Sequence, residues 1–312
     1  MSLGLPPVVF APGLVGKIPA QPDFVRINAG DRTALELRRW LEDGHELLRR
    51  GGSPLPSTPI CFVFSASLAR NVLIGALVPS RDQVGRSFPV AAFAPMESTA
   101  VAGHFPLVPV AFSRFFAALA ALLEAVPRLM TSKIVEKLDS LPLPGAGEWT
   151  VADEQRRLQL GNSAVALTAQ FCEQADADGS HYALRTFLMA CAAERNQEPA
   201  KAKVVLDCPL GADGALPWLE LSRRILQWKA QPPSFLWAQA PMSRLLLSLG
   251  PMPPSALSYL ARPDQSVAVF WPLKTSQKAA MTAAKQALSL EQRRAVEDGS
   301  ISIDALFSQL AP

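Results

Sequence analysis

The chain has 312 residues, of which 49% are hydrophobic and 18% are charged, a balance that excludes an intrinsically disordered protein. Its 30 Lys and Arg residues against 27 Asp and Glu residues give a net charge of +3, too small to indicate a nucleic-acid-binding surface. A chain of this length can bury a large core, in one large domain or two modest ones.

The four cysteines indicate a reducing compartment. They are Cys61, Cys172, Cys191 and Cys208, and none forms a C-x-x-C pair. This spacing, in apolar surroundings, is typical of free buried thiols and not of a disulfide framework or a zinc site. Residues 1–16 are apolar but lack the basic region of a secretory signal. We therefore expect a cytoplasmic protein.

The apolar stretch 101–130 is predicted to be a buried helix and not a membrane span. Its longest uncharged helical run, 115–123, has nine residues. A span needs about twenty. No membrane insertion is expected.

The predicted elements are short and are separated by many of the 28 prolines. A helix is predicted over 31–50, where Leu37, Trp40, Leu41, Leu47 and Leu48 fall on one stripe before a Gly-Gly pair. Next come a hairpin of strands 60–65 and 72–78, a strand over 88–93, an apolar helix over 111–126 and a polar helix over 131–141.

The second half repeats the alternation of helix and strand. Helices are predicted over 151–175, 182–194, 218–229 and 254–261, and strands over 204–208, 234–238, 244–249 and 267–271. The tail from residue 275 lacks strand signals and is predicted to pack as helices on the surface.

This interleaving predicts an α/β fold, a layered α-β-α sandwich with a mixed, partly antiparallel sheet. The hairpins count against a doubly wound parallel sheet. The sequence Leu-Pro-Leu-Pro-Gly-Ala-Gly over 141–147 is either a boundary between two lobes, near 141–150, or a loop inside one domain. We expect an α/β region over 1–275 and a helical tail over 276–312.

Motifs for catalysis or metal binding are incomplete. The segment Gly13–Lys17 suggests a phosphate loop, but Ala11 and Ile18 stand where a Walker A motif needs glycine and a hydroxyl residue. There is no G-x-S-x-G motif, and the three histidines are isolated from one another in the sequence. No spacing of His and Cys is suited to a metal. We predict a protein that is not an enzyme and holds no cofactor.

Two loops, 16–26 and 75–89, combine turn-forming residues with charges and an aromatic anchor. The candidate binding or structural residues, including a tryptophan shortly after the first loop, are Lys17, Pro19, Asp23, Phe24, Trp40, Pro79, Ser80, Asp82, Gly85, Arg86, Phe88 and Pro89. The side chains of Ser80 and Asp82 can form hydrogen bonds with nearby backbone amides. Gly85 permits a positive φ, and the guanidinium of Arg86 is a rigid, planar group of hydrogen-bond donors.

Each loop carries charges that it cannot neutralise alone. We therefore expect the two loops to lie side by side, with Asp23 or Asp82 paired to Lys17 or Arg86 in a partly buried contact. The alternatives are that these charges only tie irregular loops together, or that they contact a partner.

The two loops carry a family resemblance. The pattern G-K-x-P-x-x-x-D-F at 16–24, followed by P-S-x-D-x-V-G-R-x-F-P at 79–89, resembles the TagF (ImpM) family. Weaker similarity continues through Ser-Phe-Leu-Trp-Ala at 234–238 and Leu-Gly-Pro-Met-Pro at 249–253, so it covers roughly 8–271. Pro22 stands where the family commonly has glycine, and Ile60-Cys61 replaces a usual Trp-Arg pair.

The resemblance implies an α/β sandwich, association with bacterial type VI secretion and post-translational repression of that secretion. It also implies a forkhead-associated (FHA) domain protein as partner. Two other roles stay open: a structural or assembly component of the secretion apparatus, and an unrecognised enzyme that uses the Asp82 and Arg86 loop.

Overall fold

The computed structural model describes residues 11–67, 69–170, 178–198, 202–238, 242–263 and 267–311. The strands are β1 (Gly13–Gly16), β2 (Val25–Ile27), β3 (Ile60–Ser65), β4 (Asn71–Val78), β5 (Val90–Glu97), β6 (Val205–Pro209), β7 (Phe235–Ala238), β8 (Arg244–Ser248) and β9 (Phe270–Pro272).

The α-helices are α1 (Arg32–Gly51), α2 (Ser98–Ala102), α3 (Val108–Ala111), α4 (Ser113–Ala125), α5 (Thr131–Asp139), α6 (Ala146–Gly161), α7 (Val165–Ala169), α8 (Asp178–Ala193), α9 (Leu216–Leu226), α10 (Ser255–Ala261), α11 (Lys278–Ala287), α12 (Leu290–Glu297) and α13 (Ile303–Leu310). Two short 3-10 helices, Phe105–Leu107 and Val126–Arg128, flank α3 and α4.

In the described part of the chain, the nine strands form one sheet in the order β2-β1-β5-β4-β3-β7-β8-β6-β9. Neighbouring strands are antiparallel except β6 and β9, which are parallel. The pairing of β3 with β7 joins the strands of the first half of the chain to those of the second half. The predicted mixed, partly antiparallel sheet is confirmed.

Helices cover both faces of this sheet, which confirms the predicted α-β-α layering. Side chains of β4 alternate between the faces, so that Leu73 and Leu77 pack with α1 and α10, while Val72 and Ile74 pack with the larger helical layer. The central strands β4 and β5 are buried on both faces, and their sequences are therefore nearly continuous apolar runs.

Helix α1 follows its prediction closely. The Asp31 carboxylate caps its first turn by accepting a hydrogen bond from the Ala34 amide at 2.7 Å, and Gly52 ends it in a left-handed conformation. Four of the five residues assigned to its apolar stripe are buried, namely Leu37, Trp40, Leu41 and Leu48. Leu47 is exposed, so its assignment to the buried stripe was wrong.

Several predicted elements differ in extent: the last strand, expected over 267–271, is Phe270–Pro272, and the helix expected over 218–229 is Leu216–Leu226. The strand expected over 88–93 begins two residues later and continues to Glu97. The helix expected over 111–126 is part of a broken series, because the chain bends at Phe112 between α3 and α4. The helix expected over 151–175 ends at Gly161 and is followed by the short α7, and residues 171–177 lie outside the described residues.

Strands β1 and β2 were missed by the sequence prediction. Both are short, and β1 is the glycine-rich segment Gly13–Gly16 that suggested a phosphate loop. Strand propensity is low for glycine, so the pairing of β1 with β5 supplies the stabilisation that local sequence does not.

The tail is helical as predicted, but its expected surface position was wrong for the last helix. Ile303, Leu306, Phe307 and Leu310 of α13 are all buried in the core of the larger helical layer. The proline-rich stretch before α6 also packs inward, since Leu141 contributes to the same core. Burial of its apolar face stabilises α13, because an isolated helix of eight residues is only marginally stable in water.

No single helix among the described residues is long and apolar enough to cross a membrane. The 105–111 and 113–128 segments reach that length and composition only as a pair, bent by 61°. Cys191 and Cys208 are buried free thiols, as predicted, and Cys61 is a half-buried free thiol. Burial raises the pKa of the Cys61 thiol to about 12, which keeps it protonated at neutral pH. Cys172 lies outside the described residues.

Candidate binding site at the two motif loops

The loop after β1 (16–26, the first motif loop) and the loop between β4 and β5 (79–89, the second motif loop) lie next to each other. Strand β1 is antiparallel to β5, with Gly16 opposite Val90, so both loops leave the same end of the sheet. Gly16 has a φ of +138°, and a Cβ atom there would lie 2.3 Å from the Pro89 carbonyl oxygen. Only glycine allows the two backbones to approach so closely.

Asp82 joins the two loops. Its side chain has no exposed surface, and its Oδ2 atom lies 3.0 Å from Lys17 Nζ and 2.6 Å from Arg86 Nε. Its Oδ1 atom accepts hydrogen bonds from the backbone amides of Val84 at 3.1 Å and Arg86 at 2.8 Å. The predicted partly buried pairing of charges between the loops is therefore confirmed.

The second motif loop closes on itself around Asp82. The Asp82 amide donates to the Arg86 carbonyl, and the Gly85 amide donates to the Asp82 carbonyl. Gly85 has a φ of +88°, the left-handed conformation predicted for it. The Ser80 carbonyl accepts a hydrogen bond from the Phe88 amide at 3.0 Å, so Ser80 contributes through its backbone and not through the hydroxyl that we expected to act.

The electrostatics of Asp82 follow from these contacts. Burial alone would raise its pKa, but hydrogen bonds from Lys17 and from the backbone and side chain of Arg86 outweigh it and hold the pKa well below its ordinary value. Asp82 is an anion at neutral pH. Its four hydrogen bonds occupy both oxygens, which have about four acceptor positions in total.

Arg86 also reaches the first motif loop. Its guanidinium donates to the Pro22 carbonyl and lies 3.9 Å from the Asp23 carboxylate. The Arg86 side chain is 58% exposed and that of Asp23 is 92% exposed, so this second pairing is a surface contact. Such contacts contribute at most about 1 kcal/mol to stability.

Aromatic side chains continue the site toward α1. Phe24 packs edge-on against Phe88 at a centroid distance of 4.7 Å, and Phe88 packs against His45 of α1 at 5.1 Å. Lys17 Nζ lies 5.3 Å from the Phe24 ring centre. Burial, then the Lys17 charge, lowers the pKa of His45, which favours the neutral imidazole.

A cavity of about 260 Å³ opens beside Phe88. Its walls come from the second motif loop, the end of α1 and the segment after it, and they include His45, Leu48, Leu55, Pro79, Phe88 and Pro89. Arg49 also lines it. The sequence analysis did not connect His45 or Arg49 to the loops, because their link is made only by the packing of α1.

The remaining candidate residues divide between the site and the core. Pro19 is a half-buried member of the first motif loop. Trp40 does not join the loops, because it is buried on the α1 face and packs against Phe64 at 5.8 Å. Gln21, which was not a candidate, ties the two loops by accepting a hydrogen bond from the Gln83 amide at 2.9 Å.

A second charged cluster, around Glu220 of α9, was missed by the sequence analysis. The fully buried Glu220 carboxylate accepts hydrogen bonds from Arg223 at 2.7 and 2.9 Å and from Arg224 at 2.9 Å, and Arg156 of α6 lies 3.4 Å away. Burial would raise the pKa of Glu220, but the arginines lower it overall. An E-x-x-R-R pattern on a helix is usually a solvated surface, so the sequence held no signal of burial.

A third polar cluster lies on the α10 side of the sheet. Asp207 of β6 accepts hydrogen bonds from the Tyr259 hydroxyl at 2.7 Å and from Arg244 at 3.1 Å. Burial raises the pKa of Asp207. This cluster joins β6, β8 and α10 and has a structural role.

No group of three or more His, Cys, Asp or Glu side chains that could hold a metal ion occurs among the described residues. The motif-loop site itself consists of the Asp82 carboxylate, whose acceptor positions are all occupied, the cations Lys17 and Arg86, and the aromatic side chains of Phe24 and Phe88. These contacts hold an apolar and basic surface in one conformation.

The fold and this site define a mixed α/β sandwich protein with a preorganised surface at one end of its sheet. Residues 13–141 match the family model for the TagF N-terminal domain, described as type VI secretion system-associated. The matched region contains both motif loops, strands β1 to β5 and α1. This part of the chain thus matches the TagF N-terminal domain, which confirms the resemblance seen in the sequence.

The fold is shared with a solved structure. The crystal structure of PA0076 from Pseudomonas aeruginosa PAO1 aligns with 84% of this chain and 99% of that chain, with a TM-score of 0.51 and 17% sequence identity. At this identity the match shows a common fold. A comparison with curated protein sequences gives no match.

Proposed function

We propose that this protein is a post-translational regulator of type VI secretion, and that it represses secretion by binding an FHA-domain scaffold protein. The match to the TagF N-terminal domain supports an accessory or regulatory role in that system. The match of residues 13–141 to the type VI secretion-associated domain is the observation that carries the proposal. The FHA partner and the repression are implied by the family resemblance.

The motif-loop site supports action by binding and not by catalysis. Asp82 is the buried carboxylate of the site, but four donors occupy its oxygens and its pKa is held low. A general base needs a free acceptor position and a pKa near the operating pH. A protein that acts by binding shifts an equilibrium only through its different affinities for two states of its partner.

The test is a co-purification from the native host together with a secretion assay. Deletion of the gene should raise the release of type VI effectors while the transcript levels of the system stay constant. The tagged protein should co-purify an FHA-domain protein. Absence of that protein together with unchanged secretion would refute the proposal.

Two measurements, catalytic activity and copy number, distinguish the proposed regulator from the two alternatives, an enzyme and a structural component of the secretion apparatus. The purified protein should hydrolyse phosphothreonine peptides only at the background rate, with Mn²⁺ supplied. Turnover abolished by Asp82→Asn would establish an enzyme instead. A regulator should also be substoichiometric and absent from the assembled apparatus, whereas a structural component would be retained in it.

A further inference from the structure

We infer that the motif-loop surface is the docking site, and that it receives a protein surface with an apolar side chain surrounded by acidic residues. The motif-loop surface is defined as residues 16–26 and 79–89 with the cavity wall from α1. This inference rests on the proposed function, because it names the surface through which that binding takes place.

Apolar side chains are exposed on this surface although the backbone beneath them is fixed. Phe24 is 42% exposed and Val84 is 66% exposed. Val84 stands at the tip of a loop whose amides, including its own, are hydrogen-bonded to Asp82. A rigid loop that presents an apolar side chain to water loses little conformational entropy when a partner covers it.

The surface also contains a place for an apolar side chain of the partner. The cavity of about 260 Å³ beside Phe88 has several apolar wall residues, among them Leu48, Leu55 and Pro89. Phe88 lines this cavity and also packs against Phe24, so it connects the cavity to the exposed Phe24 side chain. Interfaces are commonly centred on one side chain that fills such a pocket, with polar residues at the rim.

The positive charge of the motif-loop surface favours an acidic partner. The two motif loops carry Lys17, Arg26, Arg81 and Arg86 against Asp23 and Asp82, a net charge of +2. Asp82 and Asp23 together balance Lys17 and Arg86, so the excess positive charge is that of Arg26 and Arg81, which are both exposed. A partner with acidic residues around its apolar anchor would supply the missing negative charge.

The same charge argues against a second copy of this chain as the occupant. A two-fold symmetric dimer would place each positively charged surface against itself. Like charges brought together at an interface oppose association, so an acidic surface of a different protein is favoured.

The experiment measures the affinity of the 312-residue protein for the purified FHA-domain protein by titration calorimetry. Val84→Asp should weaken binding by at least about tenfold, because it replaces the exposed apolar side chain of the second motif loop with a negative charge that an acidic partner would repel. Arg81→Glu should slow association and reduce its dependence on salt. Leu158→Asp is the matched control: Leu158 is 73% exposed on α6, outside the motif-loop surface, and this variant should bind within about twofold of the original protein.

Each result decides something different. Unchanged binding by Val84→Asp and Arg81→Glu, with intact binding by the original protein, would refute this surface and leave the proposed function standing. No binding by the original protein would refute the FHA partner and this inference with it. A concentration-dependent dimer that Val84→Asp abolishes would show that a second copy occupies the surface, which also overturns the inference. Thermal unfolding of each variant verifies that it is folded.

Discussion

Lys17 and Asp82 form a buried ion pair between two separate loops, with Nζ and Oδ2 3.0 Å apart. The Asp82 side chain is fully buried and that of Lys17 is 10% exposed. Because Arg86 binds the same Oδ2 atom, the carboxylate fixes both the approach of the two loops and the shape of the second one. The motif-loop surface is therefore organised before any partner arrives.

Loss of the Asp82 charge should destabilise the fold. Asp82→Asn leaves Lys17 without a buried counter-ion, and breaking a buried pair by removing one partner is strongly destabilising. We expect the midpoint of thermal unfolding to fall by several degrees. The matched control, Asp23→Asn, changes an exposed carboxylate 3.9 Å from Arg86 and should have little effect. Equal effects of the two variants would contradict the structural role of Asp82.

The contribution of Asp82 should depend on pH in a defined direction. Its pKa in the folded protein lies below its ordinary value of 3.8, so it stabilises the fold above that value and loses this effect as the pH falls through the folded pKa. The difference in free energy of unfolding between the original protein and Asp82→Asn should stay constant from about pH 8 to about pH 5, then shrink below about pH 4. Denaturant unfolding at a series of pH values measures it, and a difference that shrank between pH 7 and pH 5 would be inconsistent with the lowered pKa.

Gly16 and Gly85 should respond differently to alanine, although both have positive φ values. Gly85→Ala adds a methyl group into open space and should cost roughly 1–2 kcal/mol, from backbone strain alone. Gly16→Ala also drives a Cβ to within 2.3 Å of the Pro89 carbonyl oxygen, and should cost roughly 3 kcal/mol or more. Denaturant unfolding of both variants tests this order, and a smaller loss at Gly16 would show that β1 and β5 can move apart freely.

Glu220 should be important for the stability of the larger helical layer. Glu220→Gln leaves three arginines facing a neutral amide and should cost about 3 kcal/mol, the lower part of the range for a buried pair because Arg223 is partly solvated. Asp304→Asn is the control, since Asp304 is exposed and pairs only with Arg224 among the described residues, and it should cost under about 1 kcal/mol. A loss at Glu220 no larger than that at Asp304 would disprove a structural role for the cluster.

Local patterns in the sequence are sufficient to predict some of the elements. The apolar stripe, the Asp31 cap and the terminal glycines specify α1, and the β-branched and aromatic runs specify the hairpin of β3 and β4. The sequence also predicted the contact between the motif loops, since neither loop can neutralise its own charges. That contact is the Lys17–Asp82 pair.

Long-range packing, by contrast, determines which residues contact one another and which are exposed to water. The glycines of β1 have low strand propensity, and β1 is a strand because β5 lies beside it. The E-x-x-R-R pattern at Glu220 has the spacing of a solvated surface, yet α6 brings Arg156 to it and removes it from water. Helix α1 turns His45 and Arg49 toward the second motif loop and so forms the cavity wall. Burial depends on contacts between segments far apart in the chain, and local sequence patterns do not contain those contacts.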